Sequence, residues 1–354
     1  MATSEFCPNW ISAPGDTIKD ILRERSLSIA QLAARLEQSD SQVSDLLEGR
    51  STITISLARK LNSALGGSVE FWMARDFQYR EQSAKLQAQD REWLQDVPLG
   101  DMVSFGWVKQ IPHPTEELST ALQFFGVRNT SDWHQMYGDV ERVFAFRTSP
   151  SFDSRPVAVA AWLRQGEIEA SKIDCADWSP DGFRQSLASI RKLTREKNPR
   201  SFLPRLQGIC AEHGVAVAIV RAPTGCRASG ATKLSLNRKA LLLLSFRYLR
   251  EDHFWFSFFH EAGHLLLHAD KELFLEGFEK NSPEEKQANE FASEILVPHD
   301  RRDEMLNLRL SAEEIIRFSR RVGVSPGIVV GQLQHHRRIP QNYFHKLIRR
   351  YTWQ

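Results

Sequence analysis

Cysteine is scarce in this sequence. The 354 residues include four, Cys7, Cys175, Cys210 and Cys226, and no two of them form a C-x-x-C pair. Such scattered cysteines argue against a disulfide framework and against a cysteine-based metal site. We therefore expect reduced or buried thiols.

Long apolar runs and a strong net charge are also missing. The leucine run at residues 241–244 is far too short to span a membrane, and the first ten residues lack a signal pattern. The formal net charge is only +2, which gives no global attraction to nucleic acid or membranes. Since 42% hydrophobic and 25% charged residues are typical of folded proteins, we expect a cytoplasmic globular protein of two or three domains without membrane contact.

The chain does contain an H-E-x-x-H pattern, formed by His260, Glu261 and His264 inside the apolar run HFWFSFFHEAGHLLLH. Residues four apart lie one turn apart on one helix face, so both imidazoles can reach one ion while Glu261 lies beside it. A metal there lowers the pKa of bound water, and Glu261 can transfer the proton to a leaving amine. His268 lies about 12 Å of rise from His260, so we interpret it as a helix-end residue or an outer partner of the ligands.

A catalytic zinc site of this kind needs a third protein ligand. Ser282 is expected to cap a helix at residues 283–296, on which Glu285 is the predicted ligand. Asn289, one turn later, could hydrogen-bond a ligating histidine. Glu290 is the competing ligand, but it points elsewhere on the helix, so it cannot bind the same ion as Glu285.

The segments HEAGHLLLH and EKQANEFASEILVP resemble the ImmA/IrrE family of zinc metallopeptidases, whose pattern is HExxH, then E-x-x-A-[ND]-x-F-A and a short run to proline. WLRQGE and FWFSFFHE extend the resemblance. It implies Zn²⁺ bound by His260, His264 and Glu285, with Glu261 as the catalytic base. It also implies a zincin-like fold and cleavage of a repressor or antitoxin-like protein in stress, phage or toxin-antitoxin responses.

Three β-rich runs, VAVAIV, TKLSL and ALLLLSF, precede the H-E-x-x-H segment. In a zincin, a strand beside the cleft can pair with an extended substrate, so we expect a polypeptide substrate. A polar helix is predicted at residues 82–94, followed by a linker at 96–102 and an amphipathic helix at 114–125 with Thr115 as its cap. Further helices are predicted at residues 158–172, 180–194 and 199–213. We expect the first two of these three to be amphipathic and the third to be interrupted near Pro204.

The N-terminal region predicts four short helices, with Ser28 and Ser39 as caps and Gly49 after the third. The short spacing between the second and third helices suggests a helix-turn-helix. The stretch SIAQLAARLEQSDSQVSDLLEGRSTIT resembles the Xre-like family, and PGDTIKDIL with ALGGSVEFWMARDFQYR resembles its HigA-type antitoxin branch. The recognition helix would run from Asp40 to Glu48.

This region supplies candidate contacts to DNA bases, to phosphates and to the sugar-phosphate backbone. The candidates are Ser41, Gln42, Ser44, Arg50 and Thr52. However, residues 16–80 hold nine basic and nine acidic side chains, Asp40 and Asp45 would repel phosphate, and Glu37 stands where a turn glycine is common. The alternative is a helical bundle for dimerisation or protein docking, so a homodimer is a further candidate assembly.

Together these patterns predict an α+β protein, with an all-α helix-turn-helix domain followed by a mostly helical zincin-like domain with a small β-sheet. The predicted segments are a tail at 1–13, the helix-turn-helix at 14–80, a helical linker at 81–140, the peptidase domain at 141–300 and a basic helical segment at 301–354. The predicted function is a regulator that binds a DNA operator and carries a zinc-dependent endopeptidase. The alternative is a DNA-binding repressor or antitoxin whose zinc site is structural or idle.

Overall fold

The computed structural model describes residues 12–145, 155–235, 239–268, 273–275 and 282–353. The chain divides into two compact units, Met1–Gln95 with Asn129–Ser131 and Asp96–Arg128 with Asp132–Gln354. The predicted linker at 81–140 is thus shared between the units, and the basic C-terminal segment lies in the second. Because the structure combines helices with one small sheet, the α+β class is confirmed.

In its described residues, the first unit is built from helices. They are α1 (Pro14–Glu24), α2 (Ile29–Leu36), α3 (Asp40–Leu47), α4 (Ile55–Leu65) and α5 (Val69–Asp96). Ser28 caps α2 and Ser39 caps α3, each in a reciprocal hydrogen-bonded pair with the glutamine three residues later, so both predicted caps are confirmed. The core of this unit includes Leu32, Val43 and Trp72, which are fully buried.

The turn between α2 and α3 depends on Glu37. This residue has a φ of 54°, in the left-handed region where glycine is normally favoured. Lys60 from α4 donates to the Leu36 carbonyl at 3.0 Å and pairs with the Glu37 carboxylate at 2.7 Å. These contacts hold the turn closed although a non-glycine residue occupies it.

Three sequence predictions about helices are corrected by the structure. The polar helix expected to start at residue 82 is the continuation of α5, which contains no glycine or proline to end it. The segment predicted as a linker near residue 100 forms α6 (Leu99–Ser104). Thr115 caps nothing, because a 3₁₀ turn at Pro114–Glu116 precedes α7 (Glu117–Phe125), whose N-cap makes no side-chain hydrogen bond.

The second unit continues with α8 (Thr130–Ala145), α9 (Pro156–Ser171), α10 (Pro180–Leu193) and α11 (Pro199–Ala211). The amphipathic prediction for α9 is wrong, because its residues 157–163 are all buried; α9 packs against the sheet. The predicted break in α11 is also wrong. Pro204 lies inside the continuous helix, and its side chain is exposed.

The sheet has four strands, β1 (Val215–Ile219), β2 (Gly230–Ser235), β3 (Lys239–Leu244) and β4 (Leu273–Leu275), in the order β1-β3-β2-β4. β1 pairs parallel with β3, and β2 pairs antiparallel with β3 and β4. The three predicted strands are confirmed. β4 was not predicted, and it covers the edge of β2 over residues 231–233.

The remaining helices are α12 (Glu251–Leu267), α13 (Pro283–Leu296), α14 (His299–Leu306), α15 (Ala312–Val322) and α16 (Pro326–His335), followed by a 3₁₀ turn at His345–Leu347. Four side chains of α15 and α16 are fully buried in the same core as α12, namely Ile315, Phe318, Val329 and Leu333.

The described thiols are free, as expected: Cys210 and Cys226 are buried, and Cys175 is partly exposed. Burial raises the pKa of Cys226 to about 12. Cys7 lies outside the described residues. Within the ranges that the structure describes, no helix is both long and apolar enough to cross a membrane.

Candidate functional site

Helix α12 runs through the core of the second unit. Its residues are mostly apolar and it is buried on several faces, as expected for a core helix. Small residues let α13 approach it closely, because a Cβ added at Gly263 would lie only 3.2 Å from the Cα of Ala288. Ser282 caps α13 by accepting from the backbone N–H of Glu285 at 3.1 Å. The cap and the close packing together direct Glu285 toward α12.

His260, His264 and Glu285 come together between these two helices. The Nε2 atoms of the two histidines are 3.0 Å apart. Glu285 Oε2 lies 3.4 Å from His260 Nε2, and Glu285 Oε1 lies 3.2 Å from His264 Nε2. Three donor atoms of metal-ligating type therefore face one another.

The protonation states in this cluster suit metal binding. Burial alone would raise the pKa of Glu285, but its interactions with His260 and His264 lower the pKa to about 2. Burial lowers the pKa of His264, which favours the neutral imidazole. A carboxylate and a neutral imidazole are the forms that bind metals.

The neighbours of the cluster agree with its geometry. His260 Nδ1 donates to Asn289 Oδ1 at 3.1 Å, which orients the ring so that Nε2 faces Glu285. His268 ends α12, and its ring centre lies 5.6 Å from that of His264 without a bond to the three donors. Glu290 is exposed on α13 and pairs with Arg302 at 2.7 Å.

Glu261 is completely buried beside β2. A Cβ added at Gly230 would lie 2.5 Å from Glu261 Oε1, so only glycine leaves this carboxylate its present position. Sequence reasoning missed Gly230, because its contact with α12 depends on strand packing and not on a local pattern.

The cluster is enclosed in this structure. His260, His264 and Glu285 are 1%, 0% and 6% exposed. The ring of Phe274 on β4 stacks on His264, with 4.3 Å between ring centres. Sequence analysis also missed Phe274, since the pairing of β4 with β2 joins segments about forty residues apart.

The residues present fit a divalent metal. Two imidazoles and one carboxylate are the ligand set of many catalytic zinc sites, and here their donor atoms all lie within 4.8 Å of one another. All three candidate ligands come from two helices, α12 and α13.

In the first unit, the candidate DNA contacts lie on or beside α3. Ser41, Gln42, Arg50 and Thr52 are exposed and Ser44 is partly exposed. Three of them are already engaged. Gln42 Oε1 accepts from the Ser39 backbone N–H at 2.9 Å, Ser44 Oγ donates to Glu48 Oε1 at 3.3 Å, and Arg50 Nε donates to Asp45 Oδ1 at 2.8 Å. Arg50 also pairs with Glu48. The sequence had indicated the repulsion by Asp45 but not its pairing with Arg50.

Two family models match parts of the chain. Residues 215–334 match the peptidase-family model described as the IrrE N-terminal-like domain, and residues 18–72 match a helix-turn-helix model. The chain joins a helix-turn-helix to an IrrE-like peptidase domain. The matched range of the peptidase model contains His260, Glu261, His264 and Glu285, and the helix-turn-helix model covers α2 and α3.

A curated relative matches over a shorter stretch. The chain is similar to the uncharacterized HTH-type transcriptional regulator YddM of Escherichia coli (strain K12), with 35% identity over 60 residues. This match covers 17% of the chain and 64% of that regulator. The chain thus spans less than two thirds of the length of that regulator.

Proposed function

We propose that the IrrE-like domain is a zinc-dependent endopeptidase and that the helix-turn-helix binds a DNA operator. The observation that carries this proposal is the convergence of His260, His264 and Glu285, with Glu261 buried next to them on α12. The ligands in this proposal are the two histidines and Glu285, and Asn289 orients His260.

The side chains have separate tasks in the proposed reaction. Bound zinc would polarise the substrate carbonyl and acidify a water molecule. The Glu261 carboxylate accepts a proton from the attacking water and delivers it to the nitrogen of the departing amine. Gly230 leaves room for that carboxylate, and Asn289 Oδ1 keeps the proton of His260 on Nδ1.

The substrate that we propose is a polypeptide, a repressor or antitoxin-like protein whose cleavage changes transcription. The support is the presence of a helix-turn-helix in the same chain, since it can bring the peptidase to an operator. The helix-turn-helix could itself be the repressor that is cut.

One observation favours a second candidate function, a DNA-binding repressor or antitoxin with an idle metal site. The cluster is enclosed, and Phe274 covers His264. In that case the zinc would only stabilise the fold.

Substituting Glu261 with Gln distinguishes the two functions. The zinc-loaded native chain, Glu261→Gln and the exposed control Glu290→Gln would each be incubated with a proteome-derived peptide library, and new termini counted by mass spectrometry. We expect native and control proteins to cleave, and Glu261→Gln to lose about 10²- to 10⁴-fold in rate while it keeps its zinc. Equal products from native and Glu261→Gln protein, or none from either, would favour the repressor.

A further inference from the structure

Two stretches of the second unit are rich in basic residues. Residues 184–200 contain six Lys or Arg and one acid, Glu196, and residues 315–354 contain eight Lys or Arg and no acid. The formal net charge of the whole chain is only +2, so this excess of positive charge is local. A local excess attracts polyanions even where the protein as a whole is nearly neutral.

The folded chain brings these two stretches together. Arg349 donates through Nη1 to the backbone carbonyls of Thr194 at 3.3 Å and Glu196 at 3.1 Å. Arg191, near the end of α10, donates to the carbonyl of Val322 at the end of α15. The segment that follows α10 is therefore attached both to the end of α15 and to the chain near residue 349.

The arginines that already bind acids in this region serve the fold. Arg349 pairs with the fully buried Glu251 at 3.2 Å, and its backbone carbonyl accepts from the Glu251 N–H at 3.1 Å. Arg321 pairs with Glu304 on α14. Because these charges are compensated within the protein, we do not count them toward the binding of a ligand.

Four other basic side chains at this junction are exposed. In the part of the chain that the structure describes, their side chains make no ion pair and no hydrogen bond. Three lie at and just after the end of α10, and one lies in the last turn of α15. These four residues are Lys192, Arg195, Lys197 and Arg320. Their charges are available to a ligand.

The backbone after α10 forms a tight turn that presents three of these charges. The N–H of Arg195 donates to the Lys192 carbonyl at 3.2 Å, and the N–H of Glu196 donates to the Leu193 carbonyl at 2.9 Å. Glu196 itself pairs with Arg205. The acid within the turn is thus compensated, and the basic side chains around it keep their charge.

The helix-turn-helix has no comparable excess of positive charge. Residues 16–80 hold nine basic and nine acidic side chains, and Arg50 pairs with Asp45 and Glu48. Non-specific affinity for DNA comes mainly from Lys and Arg that neutralise phosphates and release counterions. A DNA-binding chain with so few free cations on its helix-turn-helix gains affinity from phosphate contacts elsewhere.

We propose that Lys192, Arg195, Lys197 and Arg320, which we call the basic surface, bind the phosphate backbone of duplex DNA. The proposal rests on the DNA-binding half of the proposed function and adds a contact outside the helix-turn-helix. Such a contact strengthens binding without reading the base sequence. Repeating phosphates suit four separate exposed cations, whereas a single carboxylate would meet only one of them.

The salt dependence of DNA binding tests this proposal. The zinc-loaded full-length chain would be titrated with a fluorescent duplex of mixed sequence between about 50 and 200 mM KCl. The test variant combines Lys192→Gln, Arg195→Gln and Lys197→Gln. Each lost phosphate contact lowers the slope of log affinity against log salt by about 0.9. We therefore expect the slope to fall by about 2 to 3, with binding at least about tenfold weaker at the lowest salt.

Two further variants are controls. Lys109→Gln with Lys172→Gln and Arg309→Gln removes the same charge from exposed positions on other parts of the second unit, and it should retain most of the slope. Ser41→Ala with Thr52→Ala removes uncharged candidate contacts of the helix-turn-helix. It should weaken binding at an unchanged slope, because an uncharged side chain releases no counterion. Circular dichroism and melting temperature would verify that each variant is folded.

The basic surface is overturned by equal slopes in the native chain and the test variant, by an equal loss of slope in the charge-matched control, or by a native chain that does not bind the duplex. A parallel titration with polyglutamate addresses an acidic protein partner. A test variant that loses only polyglutamate binding would assign the surface to such a partner and overturn the DNA proposal.

The two DNA contacts can fail separately. If only the Ser41→Ala, Thr52→Ala protein binds more weakly, the basic surface is refuted and the function proposed for the helix-turn-helix stands. If only the test variant binds more weakly, with the expected fall in slope, the basic surface stands and the contacts proposed for the helix-turn-helix are refuted.

Discussion

The candidate DNA contacts and the candidate metal ligands lie in different surroundings. Ser41, Gln42 and Thr52 are exposed on the helix-turn-helix, whereas His264 and Glu261 are fully buried in the core of the second unit. An exposed contact residue can be changed at little cost to the fold. A buried functional residue also contributes to packing and electrostatics. Function and stability are therefore coupled at the metal cluster, whereas they can be separated at the helix-turn-helix.

The largest effect is expected for His264→Ala. The substitution removes a fully buried ring that stacks on Phe274, and it leaves the Glu285 carboxylate buried with one partner fewer. We expect a loss of about 3 kcal/mol in the free energy of unfolding, together with loss of bound zinc. Guanidinium chloride titration measures the first effect. His299→Ala, at an exposed position at the start of α14, is the control. Equal stability of the two variants would contradict the coupling.

Gly230→Ala sharpens the comparison, because it acts on Glu261 without removing a metal ligand. The added Cβ would lie 2.5 Å from Oε1 and 2.7 Å from Cγ of Glu261, so this buried side chain would have to leave its present position. We expect peptide cleavage to fall about 10- to 100-fold. Gly208→Ala is the matched change, since its Cβ meets nothing within 4 Å inside α11, and it should raise stability by up to about 1 kcal/mol. A Gly230→Ala protein that retains full activity would remove Glu261 from the proposed reaction.

In the helix-turn-helix, two serine substitutions should separate an effect on helix stability from an effect on DNA binding. Ser39→Ala removes the cap of α3 and should destabilise this helix by about 1 kcal/mol. Ser41→Ala, two residues later and exposed, should leave stability within about 0.5 kcal/mol and weaken operator binding. Hydrogen exchange of the α3 amides in the full chain would measure the first effect, and DNA titration the second. Similar hydrogen-exchange rates of the α3 amides in the Ser39→Ala and Ser41→Ala proteins would contradict this separation.

The smallest effect is expected for Asp45→Asn. The change removes a negative charge from α3 and frees Arg50 from one of its two acidic partners, Asp45 and Glu48. We expect DNA affinity to rise by about two- to fivefold at low salt. Asp20→Asn, which breaks an exposed pair with Arg23 on α1, is the control. Lower affinity of the Asp45→Asn protein would mean that α3 does not face the phosphates.

Sequence patterns predicted local features well. α13 has the predicted bounds of residues 283–296, because Ser282 and Pro283 are start signals that act within one turn. The N-caps of α2 and α3, Ser28 and Ser39, were predicted from the same kind of local signal. His260 and His264 share a face because helix periodicity places them there.

Features that depend on distant contacts were not predicted. β4 pairs with β2 across about forty residues, and therefore no local pattern indicated that Phe274 would cover His264. The burial of α9 on several faces results from its packing against the sheet and was likewise missed.

Metal content tests the central claim most directly. Zinc per chain would be measured for the purified native protein, for Glu285→Ala and for Glu290→Ala, whose side chain is exposed on the same helix and paired with Arg302. We predict one zinc in the native and Glu290→Ala proteins and almost none in Glu285→Ala. A native protein without zinc, or zinc that is unaffected by Glu285→Ala, would contradict the three-ligand site and with it the proposed peptidase.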